Sequence, residues 1–387
     1  MVRISLLKQF TLTSAFILAL YMKNILLSTI CTLLLVSPSQ GQQNIAQFEA
    51  LQSIPQTYAV VKTGKPIEID GKATEQDWQN TAWTNLFVDI QGKQLPDPAY
   101  KTQVKMLWDD EYLYVYAQME EPHIWGNLEK HDDIIYHNND FEIFIKPNIH
   151  QSEYYEIEVN VLNTIFDLLL SKPYRFGGNA LVHWDVKGLR SAVHNEGTVN
   201  NPDDTDKYWA VEMAIPFESL RAYGPGNAPK PKDYWQINFS RVQWQHEIQN
   251  GKYSRKLKNN KRIEEDNWVW SPIGVINMHY PERWGYIQFV TEQQDTVPEL
   301  PPYYAISKLS WNIHYLQKLY FDKNKVYTSK LSHLPSYTTH IQPYLKTYDV
   351  ELLTNSQKNY YSLLLRSKSN PRQTATVDSK GNFDTNP

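Results

Sequence analysis

Asn139-Asp140-Phe141-Glu142-Ile143-Phe144-Ile145-Lys146-Pro147-Asn148 is followed, six residues on, by Tyr155-Glu156-Ile157-Glu158-Val159-Asn160-Val161. In the first run Phe141, Ile143 and Ile145 alternate with Asp140, Glu142, Phe144 and Lys146. In the second, Tyr155, Ile157, Val159 and Val161 alternate with Glu156, Glu158 and Asn160. Successive side chains of a strand point to opposite faces, so this period of two marks two strands. Pro147-Asn148 begins the turn between them. The stretch predicts an antiparallel hairpin with one apolar and one acidic face.

The same period recurs on both sides. Met106 and Trp108, the polar Asp109-Asp110-Glu111, then Tyr112 to Ala117 read as two strands joined by a tight turn. Further strands are expected at 166–170, 209–215, 235–241 and 284–290, with short helices starting at Thr74 and after Pro216. Many short strands between Gly, Pro and Asn turns predict a mainly β, antiparallel β-sandwich. Eleven of the twelve tryptophans lie between Trp78 and Trp284, and Val297-Pro298-Glu299-Leu300-Pro301-Pro302 follows, which places a boundary near residue 295. Beyond it Ile306, Leu309, Ile313, Leu316 and Leu319 recur at helical spacing. Strands near 350–353, 360–365 and 374–377 complete a small α+β C-terminal extension over 292–387.

Lys plus Arg total 38 against 42 Asp plus Glu, a net charge of −4, which argues against a nucleic-acid binder. Tyr (26) and Trp (12) outnumber Phe (13), which suits a β-rich protein that presents rings to ligands. At the N-terminus, Met22-Lys23 and the apolar run Ile25 to Val36, then Ser37-Pro38-Ser39-Gln40-Gly41, have the form of a secretory signal. Translation is expected to start at Met22, with residues 1–41 an over-extended start plus signal peptide and 42–57 a linker. The single cysteine, Cys31, falls inside that run, so the mature chain would have no disulfide or thiolate chemistry. The expected location is the periplasm, the cell surface or the medium, with no membrane span in the mature chain. No H-E-x-x-H, G-x-S-x-G, P-loop, dinucleotide fingerprint or calcium loop occurs.

Five segments in order resemble the family 9 carbohydrate-binding modules of exported bacterial proteins, over roughly 58–291. They are Ile67-Glu68-Ile69-Asp70-Gly71 with Asp77-Trp78; Trp108-Asp109-Asp110-Glu111-Tyr112-Leu113-Tyr114-Val115; Asn139 to Ile145; Glu212-Met213-Ala214-Ile215-Pro216-Phe217; and Pro281-Glu282-Arg283-Trp284-Gly285. The resemblance implies a sugar held between two rings, with charged and amide side chains bonding its hydroxyls. It places one ring at Tyr136 and the sugar-bonding acid at Glu142. The family's next-strand arginine falls on Glu158, and its second ring near Met278 and His279. It also admits structural calcium, with no ligands assigned here, and an association with polysaccharide breakdown.

The residues support carbohydrate independently. A pyranose stacks its C–H face on a ring and offers hydroxyls to carboxylates and amides. Tyr136 stands in the loop before a strand face bearing Asp140, Glu142, Glu156, Glu158 and Asn160. Trp125, in a loop after a strand end, is a further candidate, against packing at the rim. Arg241 and Trp244 could offer a bidentate donor beside a ring, against an arginine buried with a hairpin acid. Trp108, Trp209, Trp235 and Trp284 read as core. The expected function is an exported, non-catalytic carbohydrate-binding protein whose partner is a poly- or oligosaccharide, with no cofactor required. The alternatives are a glycoside hydrolase using paired carboxylates, or an exported assembly protein docking a partner through its C-terminal extension.

Overall fold

The computed structural model describes residues 45–222, 226–293 and 296–386. The expected signal, with Met22 and Cys31, lies outside the described residues. Thirteen strands join into one sheet. Its path runs Ala180–Leu181, Ile165–Leu170, Tyr154–Asn160, Asp140–Lys146, Tyr234–Gln243, Gly285–Val290, Thr57–Lys62, Thr102–Trp108, Tyr112–Glu120, Tyr208–Pro216 and Arg190–Glu196. Asp266–Val269 pairs with the side of Tyr234–Gln243, and Val88–Asp89 lies beyond it. The sheet curls until its halves face each other. Val104, Met106 and Val115 from one half share a core with Phe141, Ile143 and Ile157 from the other. This is the expected sandwich, made by one sheet closing over its own apolar face. One strand departs from the antiparallel pattern: Thr57–Lys62 runs parallel to both of its neighbours.

The 140–146 and 154–160 strands pair as expected, with Phe141 opposite Val159 and Glu142 opposite Glu158. Phe141, Ile143, Ile157 and Val159 point into the core, so Glu142, Phe144, Glu156 and Glu158 share the outer face. Elsewhere Glu212 ties the early motif to Tyr208–Pro216, the strand next to one edge of the sheet. Its carboxylate accepts from Trp78 Nε1 at 2.8 Å and from the main-chain N–H groups of Asp70 and Gly71, both at 3.0 Å. Gly71 has φ +83°, and a Cβ there would lie 2.8 Å from the His194 nitrogen, so the turn requires glycine.

The C-terminal extension is a helix, Tyr304–Asn324, on a four-stranded antiparallel sheet of Tyr348–Thr354, Tyr361–Ser367, Thr374–Asp378 and Phe383–Asn386. Ile306, Leu309, Ile313 and Leu316 bury one helix face against Leu363, Leu365 and Val377. The same apolar cluster includes Phe144, Tyr154 and Tyr286 of the sandwich's outer face. Glu282 clamps the two parts: it pairs with Arg175 at 2.5 Å and accepts from the Tyr315 hydroxyl. Residues 45–387 accordingly form one compact unit. Of the segment read as a linker, 42–57, the described residues from Ile45 on pack against the rest of the unit. Ile45–Ala50 is a helix whose Phe48 is buried against His340, with Gln52 bonded to Asn312.

Candidate functional site

The outer face of the hairpin is only partly roofed by the C-terminal extension. Where the roof ends there is a groove of about 500 Å³. Glu142, Glu156 and Glu158 form the polar part of its floor, with Phe144, Phe166 and Leu168 as the apolar part. Tyr136 and Ile134 stand at one side, while Tyr174, Val182, Met278 and His279 also line it. Tyr136 is 39% exposed and Tyr174 48%, so both rings are available to a ligand. The arrangement combines apolar surface, two phenol rings and several carboxylates, the set that a pyranose requires.

Strand register explains the acids. Glu142 and Glu158 are cross-strand partners, Glu156 lies two residues along, and Asp140 lies beneath at the end of the same face. All four are nearly inaccessible. Burial first, and then mutual repulsion, holds Asp140, Glu156 and Glu158 well above the usual carboxylate range. Burial pushes Glu142 up to about 7. Asp140 Oδ2 and Glu156 Oε2 are buried without a hydrogen-bond partner.

The candidate residues divide clearly. Tyr136, Glu142 and Glu158 meet in the groove. Asn160 does not: it is fully buried, donating to Leu128 O at 2.8 Å and accepting from Leu162 and Thr164 N–H groups. It holds the turn after its strand. Trp125 is buried beneath Tyr253 of a β-ribbon, the rings stacked 6.3 Å apart, and lies away from the groove. Arg241 is also excluded. Alternation puts it on the core face with Phe239, where it bonds Glu121, Thr102, Gln243 and the Glu120 carbonyl rather than a hairpin acid. Trp244 is buried and supports the groove from behind, its Nε1 donating to the Tyr136 carbonyl at 2.7 Å.

Two further residues line the groove: Tyr174, whose part in it the sequence reading did not identify, and Glu156, which that reading placed on the acidic face without naming it as a binding residue. Tyr174 belongs to the loop segment Lys172-Pro173-Tyr174-Arg175, and Arg175 anchors it by bonding Glu282 and the His279 carbonyl. The exposed ring in a Pro-containing loop was the only local signal. Glu156 was visible in the alternation, on the same face as Glu158. His279 stays neutral: burial, reinforced by Arg175, lowers its pKa to about 4, and its Nδ1 lies 2.7 Å from the Tyr154 hydroxyl.

Residues 69–242 match the family model described as carbohydrate family 9 binding domain-like. The chain carries a family 9-like carbohydrate-binding domain. Relatives of this domain include endo-1,4-beta-xylanase A of Thermoanaerobacterium saccharolyticum, 30% identical over 157 residues, covering 41% of this chain and 11% of that protein. Exoglucanase XynX of Acetivibrio thermocellus is 28% identical over 170 residues, covering 43% of this chain and 13% of that protein. The chain thus spans little more than a tenth of the length of these curated relatives. Among solved structures, a family 9 module from Caldicellulosiruptor kristjanssonii in complex with cellotriose is 18% identical, with a TM-score of 0.39. That match covers 64% of this chain and all of the other. Among the described residues no helix is long and apolar enough to cross a membrane.

Two clusters in the family 9-like domain have the donors for a metal ion. Asp140, Glu142 and Glu158 bring one oxygen each within 4.8 Å of one another, and so do His131, Asp132, Asp167 and Asp185 with their ligand atoms. The first set is all oxygen and fits calcium, the ion the family resemblance admits. The second includes an imidazole, which calcium does not favour, and His131 is already paired with Asp185 at 3.0 Å.

Proposed function

We propose that this chain is an exported, non-catalytic carbohydrate-binding protein that works beside polysaccharide-degrading enzymes. The observation that carries this is the groove of the family 9-like domain, where exposed Tyr136 and Tyr174 accompany a carboxylate floor. The rings supply stacking surface, and the acids accept from sugar hydroxyls. Export rests on the signal-like sequence before residue 42. The xylanase and exoglucanase names of the relatives make β-1,4-xylans and β-glucans the first ligands to try. A hydrolytic role is disfavoured because the acids sit side by side on one floor, whereas glycoside cleavage places two carboxyl groups on either side of the bond.

The test is calorimetry of the purified protein against xylotriose, cellotriose and a panel of soluble glycans, with reducing ends assayed in parallel. Binding without release of reducing ends, weakened by Tyr136→Ala and by Glu142→Ala with the fold intact, is the expected result. Silence across the panel would remove the sugar reading and favour an assembly role for the C-terminal extension.

A further inference from the structure

We propose that Asp140, Glu142 and Glu158 form a calcium site in the floor of the groove, and that the bound ion helps to hold the sugar by its hydroxyls. The second half of this statement rests on the carbohydrate-binding reading above; the first half does not.

The two strands fix the donors. Glu142 and Glu158 are directly opposed, and Asp140 is opposite Asn160 at the strand end. One oxygen from each of the three lies within 4.8 Å of the others. Two oxygens on opposite sides of a calcium ion, each ~2.3–2.6 Å from it, stand about 5 Å apart, so the set closes around such an ion. Buried oxygens also lack partners here. Asp140 is 0% exposed, and while its Oδ1 accepts from the Val242 N–H, its Oδ2 accepts from nothing. Glu156 Oε2, beside the set, is equally unpartnered. The charges that bear most strongly on these groups are one another's and that of Glu265, all negative. Four adjacent buried acids that repel one another are expensive for a fold to keep. A divalent cation offsets that charge and fills the empty acceptor positions.

The site would be open on the groove side. Glu142 and Glu158 line the groove, whereas Asp140 lies beneath it. Calcium takes six to eight oxygens, and three carboxylates leave coordination positions for water or for a pair of sugar hydroxyls. The ion would then face the same space as the Tyr136 ring.

The test uses chelator-treated protein at pH 7.5, with thermal unfolding followed as calcium chloride is added, and magnesium chloride as comparison. The expected result is a calcium-dependent rise in Tm of several degrees, saturating in the micromolar-to-millimolar range. Asp140→Asn and Glu158→Gln should each abolish the rise. Because each removes a charge from a repelling cluster, each variant should also be as stable as the calcium-free parent or more so, which guards against a folding defect. Asp185→Asn, in the other cluster, should keep the response. Absence of a calcium response, or a response retained in both groove variants, overturns the site. In the second arm, affinity for xylotriose or cellotriose should fall about 10-fold or more on adding EDTA. Sugar binding indifferent to EDTA overturns the bridging role and leaves the carbohydrate reading standing. Failure of both sugars to bind overturns that role and counts against the carbohydrate reading, with the thermal arm still deciding the ion.

Discussion

The main-chain N–H of Tyr136 donates to Oε2 of Glu158 at 3.0 Å, joining the ring on the groove's side to the acid on its floor. From behind, Trp244 Nε1 donates to the Tyr136 carbonyl at 2.7 Å. Both polar main-chain groups of Tyr136 are therefore fixed while its side chain stays exposed. A ring held in this way loses little freedom when a ligand stacks on it.

Tyr136→Ala should weaken glycan binding by about 2- to 13-fold, taking the ~0.5–1.5 kcal/mol of an aromatic ring contact as the guide. Its Tm should change little, because the anchoring contacts are main-chain. Calorimetry with thermal unfolding on the same samples checks both halves, and a large loss of Tm would contradict the geometry.

Tyr174→Ala should produce a loss of the same order, as the second exposed ring of the groove. Tyr174→Phe should restore most of the affinity if the ring stacks, and should not if the hydroxyl is the contact. Titration of the two variants side by side separates these cases.

Glu212→Ala should destabilise the sandwich by ~3 kcal/mol or more. It strands the buried Trp78 indole N–H and Gly71 N–H, at ~1–3 kcal/mol for each buried unsatisfied donor, and frees the Asp70 N–H of the same turn to water. Urea unfolding followed by tryptophan fluorescence measures this, and a change below 1 kcal/mol would mean that water replaces the carboxylate.

Lys146 carries a pH dependence. It is buried, and burial, partly countered by Glu282, Glu153 and Asp384, lowers its pKa from 10.5 to about 8. A lysine depressed in the folded state costs stability while protonated. Relative to the unfolded chain, the favourable contribution is complete above pH ~10.5 and is lost as pH falls through about 8. Lys146→Met should therefore be the more stable protein at pH 7, by ~1–3 kcal/mol. The difference from the parent should shrink between pH 8 and 10.5, which denaturant unfolding across that range would reveal.

Much of this was legible from local pattern, because period-two alternation directly encodes which side chains share a face. The Asp140–Asn160 hairpin, the 208–216 and 234–243 strands and the 304–324 helix all declared themselves in that way. The face of Arg241 could also have been read, since it alternates in step with Phe239. Partner choice between distant strands leaves no such mark. The parallel docking of Thr57–Lys62 between 285–290 and 102–108, and the ribbon that brings Tyr253 over Trp125, are set by tertiary packing. Tyr174 escaped for the same reason: its loop joins the groove only because Arg175 reaches Glu282.

The roof formed by the C-terminal helix affects how this domain can travel between proteins. Tyr286 meets Tyr303 and Tyr304, Tyr280 meets Tyr315, and Phe176 stacks on Trp311. Excised at residue 291, the sandwich would present those rings to water and lose the far half of the Glu282 clamp. Gene fusions that treat it as an interchangeable cassette would have to carry the helix and its sheet along, or repaint that face with polar residues.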